Sequence, residues 1–199
     1  MSPRPDRPIP LVDLVSLASS GSAVGVAGPD PSSSEGRAAW DFFENNWRQA
    51  RDGLLSRTER IRVRPLPTRA PPTAFSFEVD RPYKRKRADG MVVLEPGPVC
   101  GTIFYRTDVL TAPRNSPPAC VFLSSKGFYH PNFSRSLGVL CLGPLPGGPF
   151  PLDALLLHLY AIVSYQHLGT NDPLDADALR YFSREPDAFE GIADVPRLY

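Results

Sequence analysis

The chain has little of several things that would otherwise fix its class. Its 199 residues hold three cysteines, Cys100, Cys120 and Cys141, with no CxxC pair. Neither a zinc knuckle nor a redox dithiol is built in, and an odd count makes no disulfide scaffold. No stretch approaches the ~18 apolar residues that span a bilayer, and the early apolar run is broken by Pro and Asp, unlike a signal peptide. A soluble, cytoplasmic protein with reduced thiols is expected. Excess charge is missing too: 22 Lys and Arg stand against 21 Asp and Glu. No global field therefore draws the chain to nucleic acid or to an acidic membrane. Lysine is scarce, since only Lys84, Lys86 and Lys126 interrupt the arginines, as in a GC-rich bacterial genome.

Proline is abundant, 24 residues where ~5% is usual, which excludes a helical bundle. The length suits one domain with a tail. Residues 1–36 mix Pro, Ser, Gly and Ala without a period and read as a disordered leader, and 37–199 as the domain. Within the leader, Leu11, Val12, Leu14, Val15 and Leu17 are apolar enough to make a short docking segment. From Gly36 onward Trp40, Phe43, Trp47, Ala50 and Leu54 recur at steps of three and four, predicting an amphipathic helix. Four short strands are expected next: Phe75–Val79, Met91–Glu95, Thr102–Leu110 and Cys120–Leu123. Leu152, Leu155, Leu156, Leu159, Ile162 and Val163 predict a second helix behind Pro149 and Pro151. A shorter helix is expected from about Asp175 to Ser183, with a last turn or two from Pro186 to Ala193. Helix, four-stranded antiparallel meander, irregular loop and C-terminal helices make an α+β layout.

The irregular stretch PPACVFLSSKGFYHPNFSRSLGVLCLGPLPGGPFP, residues 117–151, places a Cys, a His and an Asn in one loop, where reactive groups tend to sit. Read locally, Cys141 is also a small hydrophobe between Leu140 and Leu142. The stretch resembles the active-site region of ubiquitin-conjugating enzymes. Pro117 and Pro118 precede a strand, His130, Pro131 and Asn132 form the HPN tripeptide, and Gly138, Cys141 and Leu142 match the Gly-x-x-Cys-Leu sequence. The likeness runs from about Gly36 to Ala193: EPGPVCGTIFYRTDVL is similar to the Gly-Pro turn and third strand, and Asp172-Pro173-Leu174 to the family's Asp-Pro-Leu turn. In composition and loop divergence the chain resembles conjugating enzymes of bacterial ubiquitin-like operons, which are associated with antiphage defence.

The resemblance implies a ubiquitin-conjugating fold and a carrier chemistry. Cys141 would take the C-terminal carboxyl of a ubiquitin-like protein from an activating enzyme as a thioester, then pass it to a target amine, with no cofactor or metal. Asn132 would steady the loop and donate to the oxyanion formed on aminolysis. Asp172 would orient and desolvate the incoming lysine, although Asp before Pro is equally a helix start. His130 would be structural, with Pro131 and Gly138, in the active-site loop. Three departures stand out: one extra residue between Asn132 and Cys141, Gly143 where an acid is usual, and no Trp near Gly147–Phe150. Two rivals remain, a non-catalytic scaffold of the same fold that binds the modifier, and a thiol hydrolase built on Cys141, His130 and Asn132. The run Arg81, Lys84, Arg85, Lys86 and Arg87 reads as a solvated hairpin tip, or else as a contact for an acidic partner, and too few aromatics interleave with it for nucleic acid. His158 and His167, nine apart on what reads as one helix, lack a ligand spacing.

Overall fold

The computed structural model describes residues 29–67, 70–112, 116–125, 127–143, 145, 149–169 and 171–192. The Leu11–Leu17 docking segment lies outside the described residues. Helix α1 spans Ser34–Asp52 and starts two residues before the expected Gly36, because the Ser33 side chain accepts from the Gly36 N–H and closes the first turn. Its apolar stripe reaches the sheet through Phe43 against Tyr105, ring centroids 5.9 Å apart, and Trp47 against Phe75 at 5.5 Å.

Strands β1 Ile61–Pro65, β2 Ala74–Val79, β5 Val99–Tyr105, β6 Ala119–Leu123, β7 Phe133–Ser134 and β8 Val139–Leu140 form one antiparallel sheet. Its order is β1-β2-β5-β6-β8-β7. A four-stranded meander is present, with one exchange of members. The expected strand at 91–95 is not in it: Val92–Glu95 is β4, paired only with β3, Tyr83–Lys86, in a separate two-stranded sheet. The meander's first place goes to β1, whose IRVRP sequence hides a strand behind two arginines that sit on a half-exposed edge. Strand β5 ends at Tyr105 and not at Leu110, since Asp108 accepts from the main-chain N–H groups of Thr111 and Ala112 and turns the chain.

The sheet alternates cleanly. On β5, Val99, Gly101, Ile103 and Tyr105 are buried while Phe104 is exposed. Gly101 is required there, because a Cβ would stand 2.6 Å from the Phe77 ring on β2. Helix α2, Leu152–Val163, is buried at Leu152, Leu155, Leu156, Leu159, Tyr160, Ile162 and Val163, more completely than an amphipathic stripe. Its N-cap is Pro151, which has no side-chain acceptor, and Asn46 of α1 supplies one by taking the Leu152 N–H at 2.5 Å. Helix α3, Ala176–Arg184, follows, and the residues after Pro186 form turns without a further helix among those described. No helix among the described residues is long and apolar enough to cross a membrane.

Candidate active site

The loop that carries the site is fastened before it begins. Strand β3 receives it: the Tyr129 N–H donates to the Lys84 carbonyl at 2.8 Å, and Lys86 N–H to that of Gly127 at 3.1 Å. Phe128, His130, Phe133, Tyr165 and Phe182 then pack as one aromatic cluster, with His130 stacked on Phe128 at 5.7 Å and tilted against Tyr165 at 4.9 Å. His130 is fully buried. Burial holds its imidazole neutral, with a pKa pushed down to about 3 against a weaker opposing pull from the Ile162 carbonyl. Its Nδ1 accepts the Asn132 N–H at 3.0 Å, so the proton of the neutral ring sits on Nε2, which makes no hydrogen bond of ordinary geometry.

Asn132 brackets Cys141 from both sides. Its carbonyl takes the Cys141 N–H at 2.7 Å, and its Nδ2 donates to the Cys141 carbonyl at 3.2 Å. Its Oδ1 accepts the Gly169 N–H at 2.5 Å, which ties the loop to the segment leaving α2. A side-chain amide has two donor hydrogens, so the bond to the Cys141 carbonyl leaves one. Cys141 itself is half-buried with a free thiol at the end of β8. Burial pushes the Cys100 and Cys120 thiols up, away from thiolate. Between Asn132 and Cys141 the chain makes a small hairpin of β7 and β8 whose turn, Arg135–Gly138, closes with Gly138 at φ 69° donating its N–H to the Ser134 carbonyl at 2.7 Å.

Asp172 is exposed on the segment between α2 and α3. The helix-start reading of Asp172 is corrected, because the N-cap of α3 is Asp175, whose side chain accepts from Asp177 and Ala178. Sequence reading missed Gly169, Asp175 and Arg135, all of which touch the HPN loop. Asp175 donates its N–H to the Pro131 carbonyl at 3.1 Å, and Arg135 Nε reaches Asp175 Oδ2 at 2.7 Å.

The basic run is corrected as well. Arg81 and Lys84 are buried, Arg85 pairs with Glu95 at 2.8 Å, and Lys86 pairs with Asp177 of α3 and lies over the Tyr129 ring. Only Arg87 is left at an exposed tip. His158 and His167 do not share a helix. The chain turns at Tyr165, φ 58°, and brings the two rings to 5.3 Å, with His158 Nε2 donating to the Leu142 carbonyl at 2.5 Å just past Cys141. Among the described residues no three His, Cys, Asp or Glu side chains gather as a metal site. The Cys-His-Asn hydrolase geometry is not present either, since His130 faces the Asn132 main chain and not the Cys141 thiol.

No protein-family model matches the chain, and no curated protein matches it.

A Cβ on Gly169 would stand 2.8 Å from Asn132 Oδ1. Gly169→Ala is therefore expected to push the amide off both partners and to cost about 1 to 3 kcal/mol in denaturant unfolding. The Asn132 side-chain amide resonances should shift with it. A wild-type midpoint with unmoved resonances would show that the brace is slack.

Proposed function

We propose that this chain has a ubiquitin-conjugating fold and works as a carrier enzyme for a ubiquitin-like protein. The supporting observation is the Asn132 bracket: one residue of an HPN loop fixes both main-chain groups of a half-exposed cysteine and keeps a second amide hydrogen out of that bracket. The order of helix, four-stranded meander, loop and C-terminal helices supports the same reading. The Cys141 thiolate attacks the thioester carbonyl on the activating enzyme's cysteine, and that sulfur leaves. A neutral target amine then attacks the new thioester, the tetrahedral oxyanion collapses, the Cys141 thiolate departs, and the amine's proton passes to solvent. The bacterial defence setting rests on composition and loop divergence, and belongs to the same proposal.

The test is charging. Incubation with the activating enzyme and modifier encoded beside it, plus ATP, is expected to give an adduct that thiols release. The adduct should survive Cys100→Ala and Cys120→Ala and vanish in Cys141→Ala. Cys141→Lys should hold the modifier as an amide that thiols do not release. An adduct that persists without Cys141 sinks the assignment, and stable modifier binding with no adduct on the wild type favours the scaffold.

A further inference from the structure

Arg135 leaves from the turn of the β7–β8 hairpin, between Asn132 and Cys141. Its guanidinium crosses the Tyr129 ring at 5.5 Å and its Nε meets Asp175 Oδ2 at 2.7 Å. The Asp175 side chain is 6% exposed against 41% for Arg135, so a nearly buried carboxylate depends on this one cation from outside its own helix. The other oxygen, Oδ1, is used up by the N–H groups of Asp177 at 3.1 Å and Ala178 at 3.0 Å. A helix cap needs only those two bonds, and Ser, Thr or Asn would supply them. The bond to Arg135 serves something beyond capping. An alternative acceptor exists, but Asp177 stands 3.9 Å from Arg135 Nη2 and is already held by Lys86 and by the Tyr129 hydroxyl at 2.8 Å.

The consequence falls on Asp172. Its segment is fastened to the HPN loop at both ends, by Gly169 on Asn132 and by Asp175 on Pro131 and Arg135. Asp172 rides exposed between the two anchors.

The geometry points to Arg135 and Asp175 as a positioning pair that sets where Asp172 meets an incoming amine, and this inference rests on the carrier reading above. The pair acts on the acceptor step and leaves thioester formation alone, because the Cys141 main chain is held by Asn132 independently of it. Asp175→Asn keeps the cap oxygen and removes the ion pair, Arg135→Gln removes it from the other side, and Arg135→Lys retains the charge.

The purified wild type and variants are charged on Cys141 by exchange with a ubiquitin C-terminal mercaptoethanesulfonate thioester and discharged onto free L-lysine over a concentration series. Asp175→Asn and Arg135→Gln are each expected to raise the lysine concentration for half-maximal discharge by about tenfold, a misplacement effect, with hydrolysis to water unchanged. The double variant should be no worse than either single one, and Arg135→Lys should recover part of the loss. Lysine discharge at the wild-type level in both single variants overturns the pair. A fall in lysine discharge and water hydrolysis together, with a lowered melting temperature, reduces it to a structural contact. A wild type that takes no acyl group from the probe counts against the carrier reading itself, and is told apart from both other results at the charging step.

Discussion

Replacing Asn132 by Ala is expected to slow discharge to amine by tenfold to a thousandfold, on the order seen when one oxyanion donor is lost, while charging of Cys141 falls far less. The structure complicates a simple reading of that variant, since Ala also deletes the bonds to Gly169 at 2.5 Å and to the Cys141 carbonyl at 3.2 Å. Asn132→Asp separates the two roles. A carboxylate still accepts the Gly169 N–H but donates to nothing, and it would face the developing oxyanion with a charge of the same sign. Discharge by Asn132→Asp should therefore be at least as slow as by the Ala variant, although the bond from Gly169 is kept. The measurement is single-turnover decay of the purified thioester with amine, beside the initial rate of charging. If Asn132→Asp discharges like wild type, Asn132 is a brace and the oxyanion role is wrong.

The parts of this site that were legible in the sequence are those that lie close together along it. His130, Pro131, Asn132, Gly138, Cys141 and Leu142 fall within one loop, and the resemblance of that loop to a known active-site region brings them into view. Gly169 lies 37 residues from Asn132 and His158 lies 16 from Leu142, so both enter only after α2 has packed on the sheet. Arg135 stood in the same loop without a role, and its partner Asp175 read only as the expected start of the last helix, which it caps. The strands followed a similar rule. The apolar run CVFL found β6, and alternation found β2, because a half-buried strand writes its period into the residues. It could not say that Val92–Glu95 pairs away from the main sheet, because pairing partners are set by the turn at Asp89 and Gly90 and by the contact of β3 with residues 127–129. Nor did it find β1, where the inward positions are only Ile61 and Val63 and the rest is Arg and Pro.

Mild acid is expected to lower the stability of the fold through His130 before it acts through the carboxylates. His130 has an ordinary pKa near 6.5 in the unfolded chain and about 3 in the folded one, so between those values the unfolded state holds a proton that the folded state does not. Its contribution to stability is complete above pH 6.5 and is lost as pH falls toward 3. From pH 7 to pH 5 the loss comes to about 2 kcal/mol, at 1.4 kcal/mol for each pH unit below 6.5. Carboxylates with lowered pKa values, such as Asp177 under its hydrogen bond from Lys86, add to the slope only below their unfolded values near 3.8. The window from pH 6.5 to 5 therefore reports on His130. The folded ring takes a proton only near pH 3, where a protonated Nδ1 no longer accepts the Asn132 N–H and the bracket around Cys141 loses its footing. Urea unfolding at pH 7 and pH 5 measures the slope. His130→Asn keeps an acceptor at the place of Nδ1 and gives up the ring packed between Phe128 and Tyr165, so it should cost about 2 to 4 kcal/mol at pH 8 yet show a nearly flat profile across the same window. A wild-type profile as flat as that of the variant would mean that His130 takes its proton in place, and that the buried ring is not held neutral by its surroundings.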